Sequence, residues 1–146
     1  IGVGMGVITH QNTVVGIVKQ VSENYAVVMS LMHKESQISG KLYKTGETGT
    51  VTWDGKETNM LTLTNIPKST QVAKGDTIIS SGMSTAFPKG KMMGLVESVK
   101  KETDNNLLKI SFRSATNFHS LDYVLVIDHA DAAGVRAMLE NVKKQN

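Results

Sequence analysis

The sequence predicts an all-β protein, and three observations carry that expectation. Val, Ile and Thr are abundant while Phe, Trp and Tyr together make up 5% of the chain, a composition suited to pleated strands. Apolar runs stay short and are broken by Gly, Pro, Asn and Asp at intervals of about eight to twelve residues, the rhythm of an antiparallel barrel or sandwich. Strict alternation is plain in places: Leu108, Ile110 and Phe112 interleave with Lys109, Ser111 and Arg113, so one face of that segment is buried and the other wet.

Strands are expected over 5–9, 14–20, 25–31, 38–43, 50–53 and 60–64 in the first half. His10-Gln11-Asn12 and Asp54-Gly55 are the turns between paired strands, and Asp-Gly is the stronger signal because a type I′ turn needs positive φ at both central residues. Further strands are expected over 77–80, 91–101, 107–113 and 123–127, with Asp104-Asn105-Asn106 turning the chain before the third of these. Phe87-Pro88-Lys89-Gly90 has Pro at the second position and Gly at the fourth, as a type I turn prefers. Gly94 interrupts a strand pattern, which marks a bulge or a close backbone approach. After Asp128 the pattern changes: Val135, Met138, Leu139 and Val142 share one helical face, Asp131 suits the N-cap and Lys143 and Lys144 the C-terminal end.

Composition excludes several function classes. There is no cysteine for a disulfide framework or thiol chemistry. Sixteen basic against thirteen acidic residues leave a charge of +3, with the lysines scattered, so a nucleic-acid surface is not expected. No apolar run is long enough to cross a bilayer, no secretory signal pattern is present, and the opening residue is Ile1, so the chain reads as a piece of something longer.

Motif searches return near misses. His10, His33, His119 and His129 lie far apart with no i, i+4 pairing, so no metal site is expected. Gly49 and Gly55-Lys56 imitate a phosphate loop, but five residues separate the glycines and Glu57 follows the lysine. Gly2, Gly4 and Gly6 lack the dinucleotide spacing and no helix follows them. A serine-hydrolase reading would recruit one of Ser80, Ser81 and Ser84 with His10 and Asp54, yet Ser81-Gly82-Met83 lacks the glycine-rich turn that builds an oxyanion site. No catalytic residue and no cofactor are therefore assigned. Phe87 on its proline-stiffened loop and the Met92-Met93 pair are the candidate partner-binding residues, because aromatic and Met side chains at a loop tip anchor protein interfaces.

The segment Ile66-Pro67, Val72, Gly75-Asp76, Ile78-Ile79, Ser81-Gly82, Phe87-Pro88, Gly90 and Gly94 to Val96 resembles the C-terminal region of the MreC family of rod-shape-determining proteins. The likeness extends to Gly6-Val7-Ile8-Thr9, Val14 to Val18, Val21 to Leu31, Ile38-Ser39-Gly40 and Gly49 to Gly55, and covers roughly residues 5 to 127. It implies two small packed antiparallel β-barrels, placed over 1–66 and 67–128, while the helical tail over 129–146 is read from the residues and has no counterpart in the resemblance. It further implies an extracytoplasmic, non-enzymatic scaffold of the cell-wall elongation machinery, anchored by a membrane helix outside this chain. The implied partners are the elongation-specific penicillin-binding transpeptidase, MreD and, through the N-terminal part, MreB, with self-association along open β edges. The alternative is an envelope glycan- or peptide-binding module, disfavoured by one Trp, three Tyr and three Phe, too few to line a cleft with aromatic platforms.

Overall fold

The structure, a computed structural model, describes residues 1–128, and these contain ten strands and no helix. Strands β1 (Gly6–Ile8), β2 (Val14–Val21) and β3 (Ala26–Ser30) form consecutive antiparallel pairs, and β10 (Leu125–Ile127) returns from the far end of the chain to pair with β1. The resulting four-stranded sheet has the order β10-β1-β2-β3. Strands β4 (Ile38–Leu42), β5 (Thr48–Thr52), β6 (Met60–Pro67), β7 (Thr77–Ser80), β8 (Met92–Lys101) and β9 (Leu107–Ser114) form a closed barrel in the order β4-β5-β6-β9-β8-β7. Pairing of Gly40, Lys41 and Leu42 with Ser80, Ile79 and Ile78 closes it.

Each expected strand is present, but the assembly differs from two barrels divided at residue 66. One barrel is closed; the other unit is an open sheet among the described residues. The barrel draws strands from both sides of the proposed boundary. Pro67 occupies the last position of β6, paired with Leu107, beside a register shift between Leu63 and Ile66 where Asn65 adopts φ 67°. A proline is tolerated at such a place, since the ladder no longer needs its missing N–H. The expected C-terminal helix falls on residues 129–146, outside the described residues.

Burial follows the alternation seen in the sequence. In β4 it runs buried, half-buried, buried, half-buried, buried from Ile38 to Leu42, and in β9 Leu108, Ile110 and Phe112 point into the barrel. The barrel core of Leu42, Val51, Leu63, Ile78, Val96 and Phe112 is continuous with Ile8, Val14 and Leu31 from the sheet region, so sheet and barrel share one apolar interior. A second, smaller cluster of Val7, Val15 and Val18 lies within the sheet, with Phe118 packed against it. Phe118 also packs on the main cluster and joins the two.

Trp53 ends β5's run just before the Asp54-Gly55 turn. Its ring is half-buried against the barrel core, and its Nε1–H donates to the Glu57 carbonyl at 3.0 Å. Truncation to Ala removes part of a large ring rather than a sealed one, so Trp53→Ala is expected to lower unfolding free energy by about 2 kcal/mol, below the loss for a fully buried aromatic. Urea denaturation monitored by far-UV circular dichroism checks this, and an unchanged midpoint would place the ring free of the barrel.

Candidate interaction surfaces

The residues a hydrolase would need are not brought together. Ser81 Oγ lies 2.7 Å from Ser39 Oγ and accepts the Met83 N–H. His10 instead stacks on Tyr123, with ring centroids 5.4 Å apart, and Asp54 accepts the Lys56 N–H at 2.9 Å. That last bond makes an Asx turn and, with Gly55 at φ 83°, explains the imitation of a phosphate loop as a β5–β6 connection. No group of three potential metal ligands occurs among the described residues.

His10 and Tyr123 stand at the rim of a cleft of ≈ 130 Å³ whose floor contains Thr9, Thr13 and Thr116. The three hydroxyls satisfy one another. Thr116 Oγ1 donates to Thr13 Oγ1 or to the Val14 carbonyl, both at 2.7 Å, and the Thr9 and Thr13 hydroxyls bond to each other at 2.7 Å, while Thr9 accepts backbone N–H groups of Gln11 and Thr13. Bonded to one another and to the backbone, these hydroxyls make the floor a polar rivet between the β1–β2 turn and the chain after β9.

Phe87 is not a surface anchor. Only 1% of it is exposed, and a Cβ built on Gly6 would lie 2.6 Å from its ring, so the absence of a side chain at Gly6 makes the slot the ring fills. The loop bends inward because Ser80, fully buried, pins it: its Oγ donates to the Pro88 carbonyl at 2.6 Å and accepts the Lys91 N–H at 2.8 Å. Met93 is also 1% exposed and lies in the barrel core, while Met92 is half-buried. A register shift, with Ile78 paired to Gly94 and Ile79 to Met92, leaves Met93 as the extra residue of a bulge in β8, turning it inward. Of the expected anchors, only Met92 retains accessible surface.

Two other surfaces stand out instead. At the free edge of the sheet, Val21, Tyr25 and Val27 expose 44, 66 and 42% of their area beside β3, whose outer edge has no partner among the described residues. Nothing in the sequence revealed that the outer side of β3 lacks a partner. On the barrel, the Ser80-pinned turn sets Lys89 beside Lys41, and a side-chain hydrogen bond from Lys89, with desolvation and charge repulsion adding to it, holds the Lys41 ammonium below the usual lysine range.

A closed six-stranded barrel fused through one core to an open four-stranded sheet defines the molecule as an all-β protein. A family model, "Rod shape-determining protein MreC, barrel core", matches residues 1–128, and the chain belongs to the MreC family. It is similar to the cell shape-determining protein MreC of Escherichia coli (strain K12), with 32% identity over 81 residues, covering 56% of this chain and 22% of that protein. The corresponding protein of Haemophilus influenzae is 27% identical over 125 residues, covering 86% of this chain and 35% of its own length. The chain thus spans about a third or less of these curated relatives. Among solved structures, a complex between penicillin-binding protein (PBP2) and MreC from Helicobacter pylori shares the fold with TM-score 0.71 and 21% identity, over 85% of this chain and 76% of that one.

Proposed function

We propose that this chain is the extracytoplasmic part of a non-enzymatic scaffold in the cell-wall elongation machinery. It determines cell shape by holding the elongation-specific penicillin-binding transpeptidase, and through segments outside this chain it is anchored in the membrane and linked to MreD and MreB. The observation that carries this reading is membership of the MreC family over residues 1–128, supported by a fold shared with an MreC solved together with PBP2. Among the described residues no helix is long and apolar enough to cross a membrane.

The open edge of β3 is the proposed transpeptidase contact, in place of Phe87 and Met93. Exposed Val21, Tyr25 and Val27 supply apolar and aromatic contact area next to unpaired strand backbone, which together suit a partner that lays an extended segment along the edge. The free edges of β3 and β10 offer the same chemistry for self-association. In titration calorimetry with the purified extracytoplasmic part of the transpeptidase, the chain is expected to bind and Val27→Asp to bind about tenfold or more weakly while remaining folded. Unaltered affinity would move the contact off β3; no binding by the unsubstituted chain, with capture of glycan fragments instead, would replace the scaffold by the glycan-binding reading.

A further inference from the structure

The cleft beside the β1–β2 turn has walls that the polar rivet of its floor does not use. Gln11, Asn117 and Asp122 line it together with the floor of Thr9, Thr13 and Thr116, and no Lys or Arg borders it. Asn117 is held in place: its Oδ1 accepts the Asn59 Nδ2–H at 3.1 Å and the His119 N–H at 3.0 Å, which leaves its own amide N–H groups for another acceptor. Among the described residues, the side chains of Gln11 and Asp122 have no hydrogen-bond or ion-pair partner. Two amides and a carboxylate therefore border one hollow whose floor is pinned by buried hydroxyls.

At its rim stands an aromatic platform. His10 stacks on Tyr123 with planes inclined by 22°, yet Tyr123 keeps 59% of its area exposed, so the stack orders the ring without covering it. An ordered ring offers an electron-rich face to C–H groups at little entropic cost. The surroundings narrow the ligand. The β1 backbone is already paired on both edges, with β2 and β10, so an extended peptide finds no ladder there. A phosphate or carboxylate would meet Asp122 with no lining cation to offset the repulsion, and no group of three potential metal ligands occurs among the described residues. At ≈ 130 Å³ the cleft is well below the about 300–1,000 Å³ of sites for drug-sized ligands, which limits it to one ring. A neutral ring with an apolar face and hydroxyls around its edge meets all of these conditions.

We infer that this cleft is a binding subsite for one ring of a neutral saccharide, with the apolar face of the sugar on Tyr123 and its hydroxyls on Asp122, Asn117 and Gln11. Asp122 accepts from adjacent hydroxyls, and these bonds are the strongest because the acceptor is charged, while the Asn117 amide donates and Gln11 does either. A single platform suits a single ring, in keeping with a chain that has too few aromatic residues to line a long groove. The cleft lies on the β1–β10 side of the sheet and the proposed transpeptidase contact on the β3 side, so the two can be occupied together. Only the choice of sugar rests on the proposed extracytoplasmic place, which makes an N-acetylated hexosamine the first probe.

Titrating the isotope-labelled chain with the trimer of N-acetylglucosamine at neutral pH, with maltotriose and a capped neutral tripeptide in parallel, tests the site by NMR. Saturable shifts are expected at Gln11, Asn117, Asp122 and Tyr123 but not at Tyr25 or Val27, with magnetisation transfer from the Tyr123 ring to sugar C–H protons. Binding should weaken about fivefold or more in Tyr123→Ala and in Asp122→Ala and persist in Tyr123→Phe. Asp122 is exposed, so its variant decides the question even if Tyr123→Ala disturbs β10, and an unaltered backbone spectrum verifies each fold. Saturation by maltotriose alone supports the subsite and counts against the extracytoplasmic choice of sugar. No saturable shift with either saccharide, saturation by the tripeptide alone, or unchanged affinity in both alanine variants overturns the proposal, and the β3 titration with the transpeptidase stands or falls separately.

Discussion

Phe87→Asp is expected to abolish the native fold. The ring is 1% exposed and lodged against Gly6 in the interior shared by sheet and barrel, so the substitution removes a large apolar side chain and leaves a carboxyl group with no polar partner in its place. Loss of a buried Phe costs about 3–5 kcal/mol before the polar group is counted, and an unpaired carboxyl adds about 2 kcal/mol or more. The sum is comparable with the entire stability of a small domain, about 5–15 kcal/mol. Circular dichroism and amide NMR dispersion should report a largely unfolded chain at 25 °C, whereas Phe87→Leu should remain folded with a lowered melting temperature. A folded Phe87→Asp with native dispersion would mean that the ring is on the surface and that the sheet and barrel do not share it.

Gly94→Val should be nearly as damaging, for the opposite reason. A Cβ at Gly94 would run into the Arg113 carbonyl oxygen and come within 2.6 Å of the Phe112 ring, both across the β8–β9 ladder. The first of these is backbone, which cannot swing aside as a flexible side chain would, so β8 and β9 must separate to admit even a methyl group. Overpacking of an adaptable core costs about 1–3 kcal/mol, and here the rigid neighbour sets the loss at the top of that range or above, about 3 kcal/mol. Thermal unfolding by calorimetry should show a fall in melting temperature well beyond that of Trp53→Ala. An equal or smaller fall would mean that the strands are farther apart at this point than the barrel requires.

These two positions show how much of the molecule is written locally. Gly94 was recognisable in the sequence as a point of bulge or close approach because a glycine inside an otherwise apolar strand has few other uses, and its neighbours Arg113 and Phe112 supply the reason. The inward row of Leu108, Ile110 and Phe112 was equally legible, since a period of two needs no knowledge of the partner strand. Phe87 was not. A loop aromatic behind a proline reads the same whether the loop folds outward or inward, and the choice was made by Ser80, whose hydroxyl holds Pro88 and Lys91 from the barrel side, and by the gap at Gly6, eighty residues away in a different sheet. Burial of Met93 likewise depended on a bulge that the alternation of a regular strand does not reveal. The exposed row at β3 escaped for the same reason, since it depends on a missing neighbour.

By itself, then, the sequence determined the strands, their turns and their inward faces, and through its motif order the family to which the chain belongs. Those properties are encoded within a few residues, by side-chain periodicity and by the φ values that Gly, Asn and Asp tolerate. Tertiary structure alone decided that β4 to β9 close into one barrel, that β10 returns to β1, and that the sheet's outer strand is left open. Every strand carries the same backbone donors and acceptors, so local sequence cannot name its partner; pairing is chosen by which apolar faces can be sealed into one interior.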